Sequence, residues 1–293
     1  MKSENFLFFG LTSGRTGSIS LSKALNEIPN IRCFHEGFLR NSAEDKKNKY
    51  FNDISMINNL KYQFPEEDIS NTLKIYANNI IMKYPIENIN FNKAYGDIAY
   101  YLSSCFDEIK IKNLKIKYLF MHREPKQFIR SSTSINSDDY APLGWPPESK
   151  EISQIEKYIA LGRLRPKDGT PHSSKWDSYP FYIKNAWLWA ETNKNIYLRL
   201  KNIQPNYVKT ISFKDFIANS LKNLTELATW LTEETISDED LYNANFVYQQ
   251  KTNKRDEKDT LDLNILERKD KLLINAICSD TCSMLGYREP FLL

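Results

Sequence analysis

Residues Phe6–Ile28 read FLFFGLTSGRTGSISLSKALNEI. A dense apolar run stops at Gly10 and has the length of a buried strand. Ten residues follow in which Gly, Ser and Thr dominate, with Arg15 as the one charge. From Ser18 the spacing changes: Leu21, Leu25 and Ile28, with Ala24, recur as one helical stripe. The stretch is therefore a strand, a small-residue corner and a helix. The start of such a helix presents unpaired backbone N–H groups and the positive end of a dipole, which together attract an anion. Gly14 and Gly17 allow close backbone approach. Thr16, Ser18 and Ser20 add hydroxyls, and Ser18 is placed to cap the helix. A tight turn with an exposed Arg is the plainer alternative.

The rest of the chain repeats the alternation. Ile31–Phe34 is a candidate strand after the turn at Pro29–Asn30. Residues 41–90 are charged and Asn-rich, with helical patches at 57–62 and 69–82. Ile116–His122 is a strong strand, and Pro125 opens a helix after it. From Thr133 to Tyr179 the composition shifts to Pro, Ser, Asp and Gly around one expected helix, Ile152–Leu164; such segments often form lids or binding loops. A long helix runs from Phe181 to Leu200. Residues 206–213 form a strand, followed by helix through Leu231 and a helical tail from Ser237. Strands alternating with helices predict an α/β fold with a mainly parallel central sheet flanked by helices. We expect one domain over residues 1–293, with 133–180 as an inserted lid that contacts the acceptor.

Composition narrows the function. The chain has 293 residues, 41% hydrophobic and 26% charged, with a net charge of +3. That suits a packed soluble protein and lacks the basic excess of a general nucleic-acid binder. No signal peptide or apolar stretch of membrane-spanning length stands out, so a cytoplasmic protein without a membrane partner is expected. The cysteines Cys33, Cys105, Cys278 and Cys282 form no CxxC pair, and only His35, His122 and His172 are present. No metal site is expected, and Cys278 and Cys282, four apart, read as buried core thiols on one helix face.

The corner fits neither common nucleotide loop. GxxxxGK[ST] fails because Ser18 follows Gly17 and no Lys is near. GxGxxG fails on the spacing of Gly10, Gly14 and Gly17. A nucleotide-dependent kinase would lack its phosphate lysine here. Instead, GRTGSISLSKAL (Gly14–Leu25) resembles the phosphosulfate loop of the sulfotransferases that use 3′-phosphoadenosine 5′-phosphosulfate (PAPS). A second segment, HREPKQFIRS (His122–Ser131), resembles that family's other signature, with Arg123, Glu124, Pro125 and Ser131 at matching spacing. Trp189–Asn193 and the strand before Lys214–Phe216 extend the likeness.

This resemblance implies a P-loop-like sulfotransferase fold and transfer of a sulfuryl group from PAPS to a hydroxyl or amine of a small-molecule acceptor, leaving PAP. Arg15 stands where the family contacts the sulfuryl group and its bridging oxygen. Gly14, Thr16, Gly17, Ser18, Ile19 and Ser20 line the phosphosulfate loop. Arg123 and Ser131 stand where the 3′-phosphate is held. The residue types suit these roles, since a guanidinium offers a planar fork to phosphate oxygens. Ile19 and Ser20 depart from the family's Thr and Trp, which leaves the adenine contact open. Lys251, Lys254 and Arg255 read as a solvated run or as substitutes for a missing Gly-rich phosphate segment. A non-catalytic nucleotide-binding protein of the same fold is the alternative function.

Transfer needs a group that takes the acceptor's proton. Glu36 and His35, at the end of the second strand, are the first and second candidates. Asp97 is the third, and otherwise caps a following helix. His122 reads as a core residue beside Arg123. Tyr140, Trp145, Trp176 and Tyr179 either wall an acceptor pocket or pack the lid down.

Overall fold

The first strand, β1 (Phe6–Thr12), is buried at every position, as a central strand covered on both faces must be. The computed structural model describes residues 5–35, 93–104, 106–107, 115–134, 145, 164–250 and 261–291. Four further strands join β1: β2 (Ile31–His35), β3 (Ala94–Ile98), β4 (Lys115–His122) and β5 (Val208–Ser212). They lie in the order β2-β3-β1-β4-β5, and every pairing is parallel. The α-helices among the described residues are α1 (Ser18–Asn26), α2 (Pro125–Thr133), α3 (Phe181–Leu200), α4 (Phe213–Ala218), α5 (Ser220–Thr232), α6 (Asp238–Gln249) and α7 (Arg268–Leu285). The expected α/β fold, with a parallel sheet flanked by helices, is the fold found.

Strand β3 departs from expectation. Asp97, expected to lie before a helix and cap it, does precede the 3-10 turn Tyr100–Ser104, but it lies inside β3 and is fully buried. It sits level with Phe9 of β1 and Phe34 of β2. Gly96 and Asp97 are poor strand formers, so the segment carries little local signal. Position makes it a strand, because it fills the gap between β1 and β2. A side chain at Gly96 would strike the Phe8 carbonyl oxygen, which explains a glycine there. Asp97 therefore stands within the sheet, below the level of the corner at Thr12.

Two layers cover the sheet. On one face Phe8, Cys33, Ile98, Leu119 and Met121 pack with Leu21 and Leu25 of α1, with α5 and with α6. On the other side Phe128 and Ile129 of α2 pack with α3 and α7. The buried thiols Cys278 and Cys282 sit in that second cluster. Trp145 and Trp176 join it too. Trp145 donates from Nε1 to the Leu164 carbonyl at 3.0 Å, and Trp176 meets both Trp145 and Trp187 edge to face. These two tryptophans are thus buried in the second cluster. Tyr140, Cys105, the 41–90 patches and all but the last residue of the expected 152–164 helix lie outside the described residues.

A lysine is buried in the first layer. Lys117, 1% exposed, lies 3.4 Å from the centre of the Phe6 ring. Its Nζ donates to the Trp230 carbonyl, to the Leu231 carbonyl at 3.4 Å and to Glu233 Oε1 at 3.0 Å. It thereby serves carbonyls that the end of α5 leaves without helical partners, at the negative end of that helix. Burial pulls its pKa down, and the bond to Glu233 opposes the pull.

Candidate functional site

The strand order creates a crevice. β1 connects through α1 toward β2 on one side, while β4 lies on the other side of β1. The helices that follow β1 and β4 depart to opposite layers of the sheet. Beyond the carboxyl ends of two such strands, α/β sheets bind their ligands. The small-residue corner and the start of α2 meet at this place.

The corner is shaped by left-handed backbone at Gly14 (φ 91°), Arg15 (φ 57°) and Gly17 (φ 77°). Positive φ at these positions turns the chain sharply between β1 and α1. Below the corner, Thr12 Oγ1 accepts from Gly14 N at 3.0 Å and lies 2.8 Å from Thr16 Oγ1. Ser103 locks the strand end by accepting from Thr12 N and donating to Thr12 O, each at 3.0 Å. Gly17, not Ser18, occupies the N-cap of α1. Its backbone turn leaves Ser18 as the first helical residue, and a glycine supplies no side chain to cap the first-turn N–H groups. Ile19 and Ser20 follow in that turn, both half-buried.

Ser18 Oγ is instead 2.9 Å from His35 Nε2. β2 is an edge strand with β3 between it and β1, yet α1 crosses back over β3 and brings the two residues together. His35 thus reaches the corner. Glu36 lies outside the described residues, as do Lys251, Lys254 and Arg255.

Two arginines join the corner to α2. Arg15 Nε donates to Ser131 Oγ at 3.0 Å. Arg123 Nη1 donates to the Arg15 carbonyl at 3.0 Å, and its Nε donates to Gln127 Oε1 at 3.1 Å. Gln127 is in turn held by Glu124 at 3.0 Å. The Arg123 guanidinium lies over the Phe213 ring, 4.6 Å from its centre. Trp189 Nε1 donates to the Arg123 carbonyl at 2.8 Å. Burial lowers the Arg123 pKa, with Glu124 and Tyr287 pulling the other way. A half-buried cation of this kind gains from an arriving anion that replaces its lost hydration.

Phe213, Thr12, Gln127 and Ser103 were not expected in this cluster. Phe213 lies at the junction of β5 and α4, 196 positions from Gly17. A Cβ on Gly17 would come within 2.5 Å of Phe213 Cε2, so Gly17 is fixed by packing as well as by φ. Contacts over such separations leave no local pattern to read. Among the described residues no group of three His, Cys, Asp or Glu side chains is placed to hold a metal. No helix among them is long and apolar enough to cross a membrane.

Solved structures share this architecture. A sulfotransferase domain from the curacin biosynthetic pathway superposes with a TM-score of 0.52 at 15% identity, covering 98% of this chain and 99% of its own. A sulfotransferase from Alicyclobacillus acidocaldarius gives 0.47 at 13% identity, covering 98% and 95%. The sulfotransferase domain of the Synechococcus PCC 7002 olefin synthase gives 0.46 at 14%, covering 100% and 92%. No protein-family model and no curated protein matches the sequence. The first of these likenesses shows that the chain has the sulfotransferase fold.

Proposed function

We propose that this chain, on its sulfotransferase fold, moves a sulfuryl group from PAPS to a hydroxyl or amine of a small-molecule acceptor. One observation carries the reading. The two segments that resemble the family's signatures are far apart in sequence, yet Arg15 bonds to Ser131 and Arg123 bonds to Arg15. They form one cationic lip at the corner where α1 begins.

The donor suits that lip. The corner from Gly14 to Ser20 takes the 5′-phosphosulfate, and Arg123 with Ser131 takes the 3′-phosphate. The acceptor atom attacks sulfur in line as the bond from sulfur to the bridging phosphate oxygen breaks. The leaving PAP keeps the electron pair, and Arg15 meets the charge that grows on that oxygen. The acceptor's proton passes to a base at the end of β2. Glu36 is our first assignment and His35 the second. The Ser18–His35 contact supports this part of the reading, because it brings the β2 terminus to the corner. Asp97, inside the sheet, is the third.

Thermal shift with PAP, ATP and GTP tests the ligand. PAP should raise the melting midpoint far more than the other two, since a ligand that binds only the native state stabilises it. Equal shifts would sink the assignment. Transfer of labelled sulfuryl from PAPS to a metabolite library then tests turnover. Glu36→Gln should cut turnover by roughly 10²–10⁴-fold while PAP affinity holds. An effect confined to His35→Ala would move the base to His35. A protein that binds PAP and transfers nothing would be a binding protein of this fold.

A further inference from the structure

Beyond the cationic lip lies a second polar cluster, built by the end of the chain. α7 stops at Gly286 (φ 73°), and Tyr287 N donates back to the Cys282 carbonyl at 2.8 Å. This left-handed stop turns Tyr287 inward. The residues after it are pinned twice to α7. Asn275 Nδ2 donates to the Phe291 carbonyl at 2.7 Å, and Phe291 N donates to Asn275 Oδ1 at 3.0 Å.

The Tyr287 hydroxyl lies 2.7 Å from His122 Nδ1 and 3.5 Å from Ser212 Oγ. His122 ends β4 and Ser212 ends β5, and the two are paired in register. The next residue after His122 is Arg123, and the next after Ser212 is Phe213, on which Arg123 rests. The Tyr287 ring also meets the His122 ring edge to face, with centres 5.3 Å apart. It lies 6.3 Å from Trp189, which holds the Arg123 carbonyl. One hydroxyl thus ties together the two strand ends that carry Arg123 and its aromatic support.

The 2.7 Å contact to Nδ1 is the shorter of the two, and the single hydroxyl bridges His122 and Ser212. Burial keeps the imidazole neutral, with Asp215 opposing the shift. Burial also pushes the Tyr287 phenol up, helped by Asp215, Glu124 and Cys282, while its bond to Ser212 opposes the shift. The phenol stays protonated and able to donate.

We propose that Tyr287 is a positioning residue for recognition of the donor's 3′-phosphate. By fixing the His122 ring across the ends of β4 and β5, it sets Arg123 over Phe213 in the pose that binds phosphate. The assignment rests on the proposed function, because it takes Arg123 as the 3′-phosphate ligand.

Tyr287→Phe keeps the ring and removes the hydroxyl. Calorimetry compares PAP with adenosine 5′-phosphate, which lacks only the 3′-phosphate. PAP affinity should fall about five-fold, the effect of one neutral hydrogen bond, while adenosine 5′-phosphate affinity holds. Nitrogen-15 spectra of the histidine rings should show His122 as a single tautomer in the native protein and a mixture in the variant. A second pair guards against poor folding: His122→Asn offers an amide group, able to donate or accept, near the Nδ1 position and should keep the PAP preference, whereas His122→Leu should lose it. Parallel weakening of both nucleotides, or a native preference that survives Tyr287→Phe and His122→Leu, would overturn the role of Tyr287 and leave the donor assignment standing. A native protein that binds the two nucleotides alike would overturn the donor reading and this role with it.

Discussion

Neutral His122 makes stability depend on pH in a calculable way. Burial lowers its pKa from 6.5 to about 4 in the folded chain. Between those values the unfolded chain binds a proton that the folded chain refuses, so stability rises with pH across the window. The contribution is fully present above pH 6.5 and is lost as pH falls toward 4. With these two values, moving from about pH 7.5 to about pH 5 costs about 2 kcal/mol. Other groups titrate in the same range, so the comparison needs a variant. His122→Asn removes the titration and keeps a hydrogen-bonding partner for Tyr287. Urea unfolding of both proteins at the two pH values isolates the difference. The native protein should lose about 2 kcal/mol more than the variant over the window. Equal losses would mean that His122 titrates normally, and the argument from its burial would fail.

Arg123→Ala should weaken PAP binding by about 10- to 100-fold, the usual range for a bond to a charged group, and leave adenosine 5′-phosphate nearly unaffected in calorimetry. Arg15→Ala should lower turnover more than donor binding, because charge on the bridging oxygen grows in the transition state; a change in donor KM alone would make it a binding residue. Gly17→Ala should cost about 1–2 kcal/mol from its positive φ, plus the clash with Phe213, and Phe213→Leu should recover part of the loss in a double-mutant cycle of unfolding. Lys117→Met leaves the buried carbonyls at the end of α5 without a donor and should destabilise by about 1–3 kcal/mol in urea, whereas a neutral result would show that those carbonyls find water.

The elements legible in the sequence are those whose signal is local. The apolar run of β1, the helical stripe from Leu21 to Ile28, Pro125 at the start of α2 and the long span of α3 each carry their own period or breaker. The two signature-like segments were legible for the same reason, because each is a contiguous strand, corner and helix. β3 was not legible: Gly96 and Asp97 disfavour a strand, and only the gap between β1 and β2 makes one. That tertiary fact moved Asp97 from a helix cap to the interior of the sheet. The burial of Trp145 and Trp176 in the second core is likewise a tertiary fact. His35 at Ser18, Phe213 beneath Arg123 and Tyr287 on His122 join residues 17, 90 and 165 positions apart. Sequence supplied the chemistry of the corner, namely its glycines, hydroxyls and arginines. Tertiary structure alone decided which of these groups touch, because the contacts depend on strand order and on the layers to which α1 and α2 depart, and neither is written in any local period.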